Sequence, residues 1–232
     1  MRRRACLVAL LTLPILPLAG CVSGPKQFAK TDIDRIADLH RREVNASIRR
    51  LAEKLYRRNP REWKKGGHAT LEAAVVQLAD PTLAGQSPVP DGQRGTVLLL
   101  AGLRDDYPHD RVAAFVGGLV NMLHDAFEGK LEFFLLDDLD AQKLYNAARN
   151  VEIAAWKLAN ARRSQPEADI PVGAPILFSN EMSPVQNLSF EREFGRLIGN
   201  LDLLTQTVAD KTNRTIVKIV QNIATAVFLP IK

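Results

Sequence analysis

Histidines, paired aspartates and two cysteines are the residues of this 232-residue chain that could do chemistry. His109-Asp110 and His124-Asp125 form a repeated dyad. If both histidines share one helix, the spacing puts them about 22 Å apart along its axis, too far to ligate one metal. His124 and Glu128 are four residues apart and share a helix face. That is half a metal site, with no second half in the sequence. His40 falls on an apolar stripe and reads as a boundary residue with a hydrogen-bond partner. Asp105, Asp106, Asp137, Asp138 and Asp140 could supply an acid pair for glycoside cleavage. The same positions suit aspartates that cap helix starts. No phosphate-cradling glycine loop, G-x-S-x-G elbow or H-E-x-x-H pair occurs. The sequence therefore offers no catalytic constellation, cofactor site or complete metal site.

The elements that must position these residues read as helices. Thr31 or Asp32 can cap a helix running to about Arg58, with Ile33, Ile36, Ala37, His40, Val44, Ile48, Leu51 and Leu55 as its apolar stripe. Asn59-Pro60 stops it, and Pro60 opens a short turn of helix through Trp63, ended by Gly66-Gly67. Residues 70–79 form another helix, and residues 80–94 are a loop punctuated by proline and glycine. The short apolar run 97–103 reads as helix, because no strand partner is visible. A helix spans 109–127, and Gly117-Gly118 inside it points to close packing with a neighbour. Asp137 or Asp138 caps a helix to about Arg163. From Leu188 the spacing predicts helix again, with Phe190, Phe194, Leu197, Leu201, Leu204 and Val208 as a seam. Gly195 and Gly199 lie near it, where they would let a partner helix approach. An apolar face continues to Phe228, with Lys211 to Thr215 as a turn or an exposed bend in one long helix. The expected fold class is all-α, a helical bundle with one long irregular loop.

That loop, residues 164–187, carries Ile176, Leu177 and Phe178. A loop this long and this apolar either packs over the bundle or is a candidate partner-binding surface. A second candidate is the stretch from Arg41 to Lys65, with ten basic residues against three acidic ones. Arg49, Arg50, Arg57 and Arg58 are its candidate contacts to a membrane surface or another polyanion. The alternative for the whole stretch is a solvated helix face.

The N-terminus gives the address. Arg2, Arg3 and Arg4 precede an almost wholly apolar run from Cys6 to Leu18, too short to span a membrane. The run ends in Leu18-Ala19-Gly20-Cys21. This segment resembles the lipobox of bacterial lipoproteins. The resemblance implies cleavage before Cys21, a diacylglycerol thioether on its sulfur, and acylation of the new amine. Val22 stands where an aspartate would imply retention in the inner membrane, so the resemblance implies the outer membrane, on its periplasmic side.

Residues 1–20 would then be signal peptide, 21–30 the lipidated cysteine and a tether of at most about 30 Å, and 31–232 one helical periplasmic domain. Three arginines leave with the signal, which lowers the net charge from +5 to +2. With Cys6 removed and Cys21 acylated, no disulfide and no thiol nucleophile remain. The expected function is a non-enzymatic envelope lipoprotein, serving as accessory, adaptor or structural component. Its partners would be the membrane, through the lipid on Cys21, and another envelope protein; the compartment argues against nucleic acid. Two other readings stay open: a carboxylate-based peptidoglycan hydrolase, and a carrier with an apolar slot between Val112 and Leu136.

Overall fold

Thr31 opens the fold. Its hydroxyl accepts the Asp34 N–H at 3.2 Å, and the Asp34 carboxylate accepts the Thr31 N–H at 2.7 Å. Such a reciprocal cap satisfies donors that a helix start leaves orphaned and is worth about 1 kcal/mol. It launches α1 (Asp32–Arg58) in the computed structural model, which describes residues 30–134 and 139–231. There follow α2 (Pro60–Lys65), α3 (Leu71–Leu78), α4 (Gly95–Gly102), α5 (Arg111–Ala126), α6 (Ala141–Asn160) and α7 (Ser189–Thr212). Among the described residues there is no strand, only three isolated bridges in the stretch 162–187. The fold is an all-α helical bundle. No described helix is long and apolar enough to cross a membrane.

The packing follows from the stripes. α1 lies against α7, α3 and α5, while α6 pairs with α7 and α4 with α5. Val44, Ile48, Leu51 and Leu55 of α1 join Phe115 and Leu119 of α5, Leu144 and Val151 of α6, and the Phe190-to-Val208 seam of α7 in one core. Burial of each large aliphatic or aromatic side chain stabilises by roughly 1.5–3 kcal/mol against the entropy of ordering it. The two glycines of α5 do what their spacing suggests. A Cβ on Gly117 would lie 2.3 Å from Pro88, and one on Gly118 would lie 2.6 Å from the Gly95 carbonyl oxygen of α4.

Four expectations are corrected. Asp140, not Asp137 or Asp138, caps α6, accepting the Gln142 N–H at 2.7 Å and the Lys143 N–H at 3.3 Å; Asp137 and Asp138 lie outside the described residues. Gly195 and Gly199 do not admit a partner helix, since the space a Cβ would fill at each is open. The apolar residues Ile176 and Leu177 of the long loop are part of the core. Finally, the last helix does not run to Phe228. It ends at Thr212, where Asn213 turns into the left-handed region at φ 51°. Asn tolerates that conformation, and the β-branched run after it (Thr215, Ile216, Val217, Ile219, Val220) suits extended backbone better than helix.

Residues 214–231 instead form a non-helical strap. α6 holds it by amide side chains. Gln142 accepts the Val217 N–H at 2.8 Å and donates to its carbonyl at 3.1 Å. Asn150, fully buried, does the same for Leu229 at 2.6 and 2.8 Å, and Asn146 donates to the Pro230 carbonyl at 2.8 Å. Each side-chain amide stands in for a missing strand neighbour, and at Leu229, where the backbone is buried, such a partner is required.

Candidate functional site

The basic stretch is folded into α1 and α2, and most of the four candidate arginines already have partners. Arg50 Nε donates to Glu193 at 2.9 Å, Arg57 bonds Glu53 at 2.7 Å, and Arg58 reaches Glu181 on the long loop at 2.8 Å. Arg49 is exposed and takes part in no ion pair among the described residues. Arg41 is buried, donating to the Leu131 carbonyl and lying over the Phe127 ring. The excess charge counted along the sequence is thus partly neutralised by acids far away in the chain.

The stretch 164–187 is pinned to the bundle instead of standing off it. Asn59, at the end of α1, accepts the Phe178 N–H at 2.8 Å and donates to the Phe178 carbonyl at 3.0 Å. The Ile176 N–H donates to the Ala161 carbonyl at 3.1 Å. Between these anchors Leu177 is 1 % exposed and Ile176 is also buried, both in the main core. Phe178 is half-buried. Ile176 and Leu177 therefore have no surface to offer a partner in the folded domain, and Phe178 keeps only part of its ring.

Where this stretch meets α2 and α5, charged side chains gather around a cleft of ≈ 340 Å³. Asp110 caps α5, accepting the Ala113 N–H at 2.9 Å and the Tyr56 hydroxyl at 2.8 Å. Burial pushes its carboxyl above the usual range, with those hydrogen bonds opposing. Glu62, buried on α2, accepts the Arg111 N–H at 2.7 Å and faces Lys65 at 3.3 Å. The Arg111 guanidinium donates to the carbonyls of Arg104 and Asp105. Arg163 Nη1 donates to Glu167. Lys65 lies 3.7 Å and Arg111 3.9 Å from the same Glu167 carboxylate. Burial acts against ionising that carboxylate, but the charges of Arg163, Lys65 and Arg111 prevail and hold it below the usual glutamate range. Asp105 accepts the Ser164 N–H at 2.6 Å and its hydroxyl, and Asp106 is bidentate to Arg104 at 2.6 and 2.9 Å.

The other chemistry-bearing residues are dispersed. His40 Nδ1 meets Asn200 Oδ1 at 2.9 Å, the boundary contact its stripe position suggests. His109 stacks edge-on to Tyr107. Glu128 binds Lys143 at 2.7 Å, and burial lowers the His124 pKa. Among the described residues no group of three or more His, Cys, Asp and Glu could hold a metal. Val112, Phe115, Val116 and Leu119, on the proposed carrier slot, are fully buried in the core; Leu135 and Leu136 lie outside the described residues. Cys21 also lies outside them.

One apolar surface was missed by the helical reading of the C-terminus. On the strap, Val217 is 67 %, Val220 95 % and Val227 68 % exposed, with Ile219 and Ile223 beside them. Compared with protein-family models, with curated proteins and with solved structures, the chain matches none.

Proposed function

We propose that this chain is a lipid-anchored lipoprotein of the bacterial outer membrane, facing the periplasm, and that it works as a non-enzymatic adaptor for another envelope protein. The lipobox at Leu18-Ala19-Gly20-Cys21 supports the anchor. Two or more acyl chains hold a protein stably at a bilayer, where one does so only marginally. The observation that carries the adaptor role is the strap, which exposes five β-branched side chains, Val217, Ile219, Val220, Ile223 and Val227, within a short stretch of chain. Isolated surface valines need no explanation, but clustered ones mark a contact surface.

Two measurements test this reading. Cys21→Ala is expected to abolish incorporation of a clickable palmitate analogue and to leave an uncleaved or soluble species; equal labelling of both chains would remove the anchor. For the adaptor role, a chain carrying Val217→Asp and Val220→Asp should keep its melting temperature, since exposed substitutions usually change stability by about 0.5 kcal/mol or less. It should recover fewer envelope proteins from detergent-solubilised membranes than wild type. Unchanged recovery would show that the strap is not the contact.

A further inference from the structure

The charged cleft holds more cations than its fixed acids use. Arg111 is 2 % exposed, and the Arg163 side chain 4 %. A guanidinium so buried normally meets a carboxylate at hydrogen-bond distance. Arg163 has one, in Glu167. Arg111 has none that close: its Nη atoms go to two carbonyls, its Nε has no partner among the described residues, and its nearest carboxylate is Glu167 at 3.9 Å. Lys65, which also meets Glu62 at 3.3 Å, is the third cation within 4 Å of the Glu167 carboxylate.

That carboxylate is also the one free to leave. The Glu167 side chain is 38 % exposed and sits on a tight turn closed by paired Glu167–Ile170 backbone hydrogen bonds of 3.0 and 2.9 Å. Rotation of its side chain toward solvent breaks no backbone contact. Glu62, Asp105 and Asp106 cannot leave so cheaply, because each holds a backbone N–H or a bidentate arginine.

We propose that the cleft is a carboxylate-binding site which Glu167 occupies in the free chain, and that an acidic side chain of a peptide ligand takes its place. The exchange replaces one negative charge by another, so the buried cations stay compensated throughout. A phosphate would bring extra negative charge against Asp105 and Asp106 on the wall. The cleft is far larger than a carboxylate. Asp106, Tyr107 and Pro108 also line a neighbouring trough of ≈ 540 Å³, whose other walls include Val97, Leu100 and Ala101. The ligand is therefore a segment with Glu or Asp next to an aliphatic residue. This assignment concerns the folded domain and depends neither on the lipid nor on the strap.

Calorimetric titration of the full chain in detergent tests it. The probes are acetyl-Leu-Glu-Gly-amide, its Gln counterpart and sodium acetate. Glu167→Gln removes the internal competitor and should bind the Glu peptide about tenfold more tightly than wild type, while the Gln peptide binds neither. Adding Lys65→Gln, a partly exposed position that leaves the buried arginines in place, should cancel most of that gain. If Glu167→Gln binds the Glu peptide no better than wild type, or none of the chains binds it, the cluster only clamps the loop and the assignment fails. Equal binding of the Gln peptide also overturns it. Acetate binding as tightly as the peptide would overturn the peptide as ligand.

Discussion

Leu177→Asp is expected to cost about 4 kcal/mol or more of folding stability, out of the roughly 5–15 kcal/mol a domain has. The side chain is 1 % exposed in the main core. An aspartate there must either lose its hydration or escape to water. Escape is blocked on both sides. The Ile176 N–H is bound to Ala161, and both backbone groups of Phe178 are held by the Asn59 amide. Moving Leu177 outward therefore breaks these part-buried hydrogen bonds, each contributing about 0.5–1.5 kcal/mol, on top of the lost burial. Urea unfolding followed by far-UV circular dichroism measures the loss. Phe178→Asp, one residue on and half-buried, is the comparison and should cost clearly less. Equal, small losses for both would mean that the stretch 164–187 is a loose cover, and would restore Ile176 and Leu177 as a possible partner surface.

Gly118→Val should be the other severe change, lowering stability by about 3 kcal/mol through overpacking. The first atom added already collides with backbone. A Cβ at Gly118 would lie 2.6 Å from the Gly95 carbonyl oxygen and 2.7 Å from the Leu99 nitrogen. Backbone cannot rotate aside as a side chain can, so α4 must move away from α5. Retreat of α4 would also disturb Gly102, whose own Cβ position is 2.8 Å from the Ala114 Cβ. Gly195→Ala gives the control. Its added Cβ meets nothing within 4 Å, and alanine in a helix is favoured over glycine by roughly 1 kcal/mol. It should therefore raise the melting temperature slightly while Gly118→Val lowers it strongly. If both variants moved the midpoint alike, helix propensity and not close packing would explain the glycines.

The sequence by itself determined where the helices lie, though not the end of the last one. Thr31 caps α1 as its position predicts, and the stripes of α1, α5, α6 and α7 became the core. Helix periodicity repeats every turn and the caps act within three residues, so both are local signals that a single chain displays. The irregular stretches were decided elsewhere. Asn121 binds the carbonyls of Ala84 and Gln86 in the loop before α4, Asn59 holds Phe178, and Asn146 and Asn150 hold the strap. An asparagine within or at the end of a helix looks like any polar residue until a distant backbone segment lies against it. The same holds for charge. Counting along Arg41–Lys65 gives an excess of cations, but Glu193, Glu181 and Glu167, which meet Arg50, Arg58 and Lys65, come from more than a hundred residues away. Only the tertiary structure could pair them, because hydrogen bonds and ion pairs depend on proximity in space, and chain order carries no record of which irregular backbone will need a partner.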